Sequence, residues 1–229
     1  MKQFRTISIV VVALLCAGCR GGEPSIIQAD SSSLALPTPG YDGGISVEQA
    51  LLERRSVREY GPEPLSLSEI TQLLWAAQGI THPGGLRTAP SAGALYPLEV
   101  YLLAGNVTDL PAGIYHYHPQ DHELILIAEG DQRQALCQAA LSQNSVQDAA
   151  AVIVIAAVYE RTTVKYGQRG IRYVHMEVGH AAQNIYLQAE SLGLGTVFIG
   201  AFEDDEVNRV LHMSEDEQPL GLMPVGRKP

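Results

Sequence analysis

Ala151-Val152-Ile153-Val154-Ile155-Ala156-Ala157 is an unbroken apolar run, β-branched at four consecutive positions and with no polar face. A half-exposed strand alternates polar and apolar side chains, so this run predicts a central strand covered on both faces, extending through Val158. Around it lie further β-rich stretches bounded by Gly, Pro or Asp: Val100 to Leu103, Gly113 to Tyr117, Glu123 to Ala128 and Thr196 to Ile199. Pro119-Gln120-Asp121 can turn the second of these into the third as a hairpin. Helices are predicted between the strands. Ser46 with Gln49 caps one running to Arg55, and Ser66 with Glu69 forms a capping box for another that stops at Gly79. The stretch from Tyr173 to Ser191 is the longest helical candidate, and Asp204 to Leu211 a shorter one. The class is α+β.

The chain has 229 residues, 46% hydrophobic and 17% charged, with 22 Gly and 13 Pro. That composition supports one domain with a sizeable core and argues against disorder, collagen or coiled coil. No internal repeat is visible. A net charge of −10 disfavours a general nucleic-acid surface but leaves room for a local cationic pocket.

Lys2 and Arg5 precede an apolar run from Ile7 to Ala17 and then Gly18-Cys19. The run is far below the ~20 residues needed to span a bilayer and reads as a signal peptide over residues 1–18. The small residues before Cys19 resemble the lipobox of bacterial lipoproteins, although Cys16 stands where that motif most often has Leu. The resemblance implies lipid on Cys19 as the sole membrane attachment, in an extracytoplasmic setting. Residues 19–44, rich in Gly, Ser and Pro, read as a tether, with the domain over 45–229. Cys137 would then lack a disulfide partner and reads as a buried helical residue.

Several clusters carry chemistry. Arg54-Arg55-Ser56-Val57-Arg58 places three guanidiniums and a hydroxyl in five residues, enough to grip a phosphate, although cations at a helix end also complement its dipole. Thr88 to Pro97 is a loop of small residues that lets a flat ligand approach backbone amides. Lys165-Tyr166 pairs an amine with a phenol that could exchange protons. His175 and His180 are five apart and do not share a helical face, and His116 with His118 lacks further ligands, so no metal site is predicted. Phosphate-binding and nucleophile-elbow signatures are absent.

In order, Arg54-Arg55-Ser56-x-Arg58, Pro90-Ser91-Ala92-Gly93-Ala94-Leu95-Tyr96-Pro97, Lys165-Tyr166-Gly167-x-Arg169, Glu177-x-Gly179-His180-x-x-Gln183-Asn184, Gly193-Leu194-Gly195 and Pro224-Val225-Gly226-Arg227 resemble the nitroreductase-like flavoproteins. The set is most similar to the SagB-type dehydrogenases, which include the azoline oxidases. The resemblance covers roughly Ile45 to the C-terminus. It implies a central mixed sheet surrounded by helices and a homodimer with FMN at the subunit interface. It further implies that Arg54, Ser56, Arg58 and Arg227 hold the FMN phosphate, with Arg55 helping through its backbone. Ser91, Ala92 and Gly93 would line the ring system, and the backbone at Gly200 and Ala201 would face its reactive edge. Lys165 and Tyr166 match the azoline oxidases' Lys-Tyr pair. The implied activity is hydride transfer between a small or peptide-like substrate and flavin N5, with either residue as the base. An NAD(P)H-dependent nitro or quinone reductase and a non-catalytic flavin-binding lipoprotein are the alternatives.

Overall fold

The structure, a computed structural model, describes residues 32–229. The expected signal peptide and the Cys19 lipid site lie outside the described residues. In chain order the elements are β1 (Ser33–Ala35), α1 (Val47–Glu53), β2 (Leu65–Ser66), α2 (Leu67–Gln78), β3 (Leu98–Ala104), β4 (Val107–Thr108), β5 (Gly113–His118), β6 (Glu123–Glu129), α3 (Arg133–Ala139), α4 (Asn144–Asp148), β7 (Ala151–Val158), α5 (Glu160–Tyr166), α6 (Arg169–Ser191), β8 (Leu194–Thr196), α7 (Asp204–Leu211) and β9 (Glu217–Arg227).

Seven strands form one sheet in the order β1-β6-β5-β3-β7-β9-β8. All eight residues of β7 are buried, and their alternation divides the core in two. Ala151, Ile153, Ile155 and Ala157 pack under α2 and α6, with Ile70, Leu73, Val174, Val178, Ala181 and Ile185. Val152, Val154 and Ala156 pack on the opposite side with Leu136, Val146, Val207 and Leu211 from α3, α4 and α7. At about 1.5–3 kcal/mol for each fully buried Val or Ile, this strand is a substantial contributor to both halves of the core.

The α+β class and the helix-flanked central sheet are as expected, and two details are corrected. The sheet is antiparallel at every pairing rather than mixed; parallel pairing is confined to β2 with β4 and to a bridge between Ser56 and Thr196. A strand buried on both faces reads alike in either direction, so the apolar run carried no information on polarity. The segment read as a tether also contributes β1, which pairs with β6, while Leu34 and Leu36 pack against the core. Their two-residue alternation is too short to stand out among Ser and Pro. The Pro37 carbonyl is within 3.0 Å of His122 Nε2, and the Gly40 carbonyl accepts from Gln72 Nε2, so the fold begins before Ile45.

Both predicted caps form. Ser46 accepts from Gln49 N, and Ser66 and Glu69 exchange side-chain and backbone bonds. Helix α6 starts at Arg169, four residues before the predicted start, and Cys137 is buried and unpaired. The predicted strand over Thr196 to Ile199 lies earlier, at β8, with Ile199 bridging Leu222.

Candidate active site

Helix α6 is the spine of the site, with one group of residues at each flank. Beyond the end of α1, the chain runs as a strap along the sheet edge: Val57 N donates to the Thr196 carbonyl at 2.9 Å, and Gly61 N to the Arg227 carbonyl at 3.0 Å. Any Cβ on Gly226 would stand 2.8 Å from the Tyr60 side chain, so a glycine is needed for this approach. The early cluster and the C-terminal strand therefore converge. Tyr186 of α6 ties them together, sharing a hydrogen bond with Ser56 Oγ at 3.1 Å and accepting from Phe198 N at 2.7 Å. The Arg54 guanidinium lies 5.1 Å from the centre of the Tyr186 ring. Arg55 donates to the carbonyls of Leu52 and Arg54, and Arg58 is exposed. None of the three is ion-paired to a carboxylate among the described residues.

Arg227 reaches this edge through its backbone but is already engaged through its side chain. Its guanidinium forks onto Glu69 at 2.5 and 2.9 Å and donates to the Pro64 carbonyl. Burial raises the Glu69 pKa, but Arg227 and the Ser66 groups outweigh it and hold the carboxyl below its usual range. These bonds occupy three of its five N–H donors. Gly200 and Ala201 are exposed just beyond Ile199, and the Ala201 carbonyl accepts from Gln143 Nε2 at 2.8 Å.

At the other flank, residues 88–97 are held in a conformation the chain does not favour by itself. Gly93, Ala94 and Tyr96 all have positive φ, at 66°, 53° and 46°. The non-glycine pair costs on the order of 1–3 kcal/mol each, a strain that persists only when its surroundings fix it. They do. Ser91 Oγ accepts from Tyr96 N at 2.9 Å, Arg161 donates to the Tyr96 carbonyl, and the Arg87 guanidinium lies 4.7 Å from the Tyr96 ring centre. Arg87 is anchored in turn by Gln78 Oε1 at 2.7 Å. Asn184 donates from α6 to the Thr88 carbonyl.

Lys165 and Tyr166 meet this loop directly. They form the last turn of α5, a helix not expected from the sequence, and a Cβ on Gly93 would lie 2.7 Å from Tyr166 Oη and 2.8 Å from Lys165 Nζ. Beneath the loop Glu177 is 2% exposed, with one carboxylate oxygen lacking any hydrogen-bond partner. Burial pushes its pKa up to about 7, against the opposing pull of the Ser91 hydroxyl and the Arg87 charge.

The sequence singles out residues in both groups and Glu69 as a helix cap, but not the supports Arg87 and Tyr186 or the pairing of Glu69 with Arg227, and it gives Glu177 no role. A lone Arg and a lone Tyr carry no local signal. The hairpin turn also gathers His118, Asp121 and Glu123 within 4.8 Å, with His118 2.9 Å from Asp121.

The guanidiniums beside Ser56, none paired to a carboxylate among the described residues, suit a dianionic phosphate, so these residues fit the phosphate end of FMN in kind. The two flanks stand nine residues apart on α6, about 14 Å along its axis.

Residues 51–227 match the family model described as Nitroreductase family. The chain belongs to the nitroreductase family. It is an oxidoreductase by that membership, and its α6 and antiparallel sheet are the fold of relatives of known structure. Over 184 residues it is 52% identical to "Putative nitroreductase MJ1384" of Methanocaldococcus jannaschii, covering 80% of this chain and 92% of that protein. The crystal structure of a nitroreductase-named protein from Anabaena variabilis superposes with a TM-score of 0.77 at 33% identity, over 87% of this chain and 42% of that one. The microcin B17-processing protein McbC of Escherichia coli is 32% identical over 158 residues, 66% of this chain and 58% of McbC. This member of the nitroreductase family thus spans little more than half of the processing protein that it resembles.

Proposed function

We propose that the chain is an FMN-dependent dehydrogenase of the SagB type, oxidising a small or peptide-like substrate at a carbon next to a heteroatom. The observation that carries this reading is the meeting of Lys165 Nζ and Tyr166 Oη over the backbone of Gly93. An amine and a phenol placed side by side can take a proton from the substrate heteroatom as a hydride leaves the adjacent carbon, leaving a C=N or similar double bond. When bound, FMN supplies the two-electron acceptor at ring N5. Arg54, Ser56 and Arg58 would hold the phosphate by charge-assisted hydrogen bonds, joined by Arg227. The backbone of Ser91, Ala92 and Gly93 would line the ring, and that of Gly200 and Ala201 would face its edge.

The site is completed by a second copy of the chain. Val47, Leu51 and Leu52 of α1 are 62%, 55% and 68% exposed, an apolar face beside α6 that a partner subunit would cover. Lipid on Cys19 would hold this dimer at an extracytoplasmic membrane surface. A second reading is an NAD(P)H-dependent nitro or quinone reductase, and the 52% identity to a protein named a nitroreductase favours the nitro-reducing part of it.

The purified full chain is expected to show a flavin absorbance band that an azoline substrate bleaches anaerobically. Lys165→Ala combined with Tyr166→Phe should retain the band and slow bleaching by roughly 10²–10⁴-fold. Full turnover in that double variant would remove the pair from the mechanism, and bleaching by NADH or NADPH alone would establish the reductase.

A further inference from the structure

Twelve Lys and Arg residues lie among the described residues, and their pairing is uneven. Arg133, Arg161, Arg209, Arg227 and Lys228 each meet a carboxylate. Arg87 is stacked on Tyr96. The six left without a carboxylate partner fall in two groups only: Arg54, Arg55 and Arg58 at one flank of α6, and Lys165, Arg169 and Arg172 at the other. In a chain carrying 25 acidic residues, two concentrations of unpaired cations are not the outcome of scattered surface charge. The phosphate of FMN absorbs the first group and leaves the second without an anion.

Two members of the second group, Lys165 and Arg169, are also held in place. The Arg169 guanidinium lies 5.9 Å from the centre of the Tyr173 ring, the Tyr173 ring meets that of Tyr166 edge-on at 5.1 Å, and Lys165 Nζ lies 5.3 Å from the Tyr166 ring centre. Tyr166 Oη in turn abuts Gly93. A continuous aromatic ladder thus runs from the proton-transfer pair to an exposed guanidinium, fixing a positive charge at the mouth of the site. Helix stability accounts for Lys165, in the last turn of α5, but not for Arg169. Arg169 is the first residue of α6 and its first turn holds no acid, so the cation stands against the positive end of the helix dipole.

We infer that Arg169 and Arg172 form an anion subsite, in which a carboxylate or phosphate group of the reacting molecule docks while its reactive centre lies against Lys165 and Tyr166. This rests on the proposed function only in placing the reacting centre at Lys165 and Tyr166, in whichever direction hydride moves. It adds that the molecule entering the site carries an oxyanion, borne either by the substrate or by a nucleotide reductant. Arg offers a planar fork for such a group, and Arg169 is presented by its ring contact with less freedom to lose.

Calorimetric titration of the full chain tests this without requiring turnover. One arm compares 4-nitrobenzoate with the neutral 4-nitrobenzamide, and the other NADPH with NADH, for which the extra charge is the 2′-phosphate. Tighter binding of the more charged member in either arm, by about tenfold and declining with salt, is the expected result and identifies the source of the anion. Arg169→Gln with Arg172→Gln should abolish that preference while leaving the flavin band intact. Equal binding in both arms, or a preference that survives the double substitution, overturns the subsite. Absence of the flavin band would instead count against the dehydrogenase reading, which this titration leaves separate.

Discussion

The two flanks of α6 solve opposite problems. Around Arg54 to Arg58 the charges are half-buried or exposed with no carboxylate partner among the described residues, and the backbone is anchored to β8 and β9. Around residues 88–97 Arg87, Ser91 and Tyr96 are half-buried over the buried Glu177, the backbone is strained, and these side chains serve to hold a shape. One flank stores affinity and the other stores geometry. A phosphate can be gripped by flexible side chains that close on it, whereas proton transfer demands atoms placed beforehand to within fractions of an ångström.

If that division holds, changes at each flank should have distinct readouts. The largest effect is expected from Arg54→Ala, which removes a charge-assisted contact and should weaken FMN retention by roughly ten- to a hundredfold without altering the pH dependence of folding. Flavin occupancy after dialysis measures it, and unchanged occupancy would take Arg54 out of the phosphate site.

Glu177→Gln should do the reverse. The Glu177 carboxyl titrates near 4.5 when unfolded and near 7 when folded. Between these values the folded state keeps a proton that the unfolded state has lost, so stability falls as pH rises from about 4.5 to 7 and is flat above. Denaturant unfolding should show the variant losing this slope, which is worth on the order of 2 kcal/mol, while its flavin retention remains unchanged. A drop in retention comparable to that of Arg54→Ala would merge the two flanks into one.

The smallest change in stability is expected from Gly93→Ala. Its positive φ costs about 1 kcal/mol for a residue with a Cβ, and the flexible tips of Lys165 and Tyr166 can swing aside to relieve the contact. Melting temperature should fall by only a few degrees, yet dehydrogenation should fall much further, because the displaced atoms are the proposed proton carriers. Activity and stability declining in proportion would show that Gly93 is simply a turn residue.

Much of this is legible in the order of the amino acids. The unbroken apolar run from Ala151 predicts the central strand because burial on both faces removes alternation, a property of the residues themselves. The caps at Ser46 and Ser66 and the helix from Asp204 to Leu211 are equally local, each set by bonds or contacts within a few positions. The cation cluster at Arg54 is visible in composition alone.

Other features depend on partners far along the chain. Strand β9 ends in motif residues but carries Pro219, Gly221, Pro224 and Gly226, which argue against a strand until β7 and β8 enclose it. That Arg227 forks onto Glu69, that Tyr186 bridges Ser56 to Phe198, and that Glu177 lies buried beneath Ser91 are facts of packing between distant segments. The amino-acid sequence by itself determined which segments must be buried, where helices begin and which charges the chain must satisfy. Only the tertiary structure decided strand polarity, the strained conformation of residues 93 to 96 and the meeting of Lys165 and Tyr166 with Gly93, because each of these depends on long-range contacts that outweigh local preference.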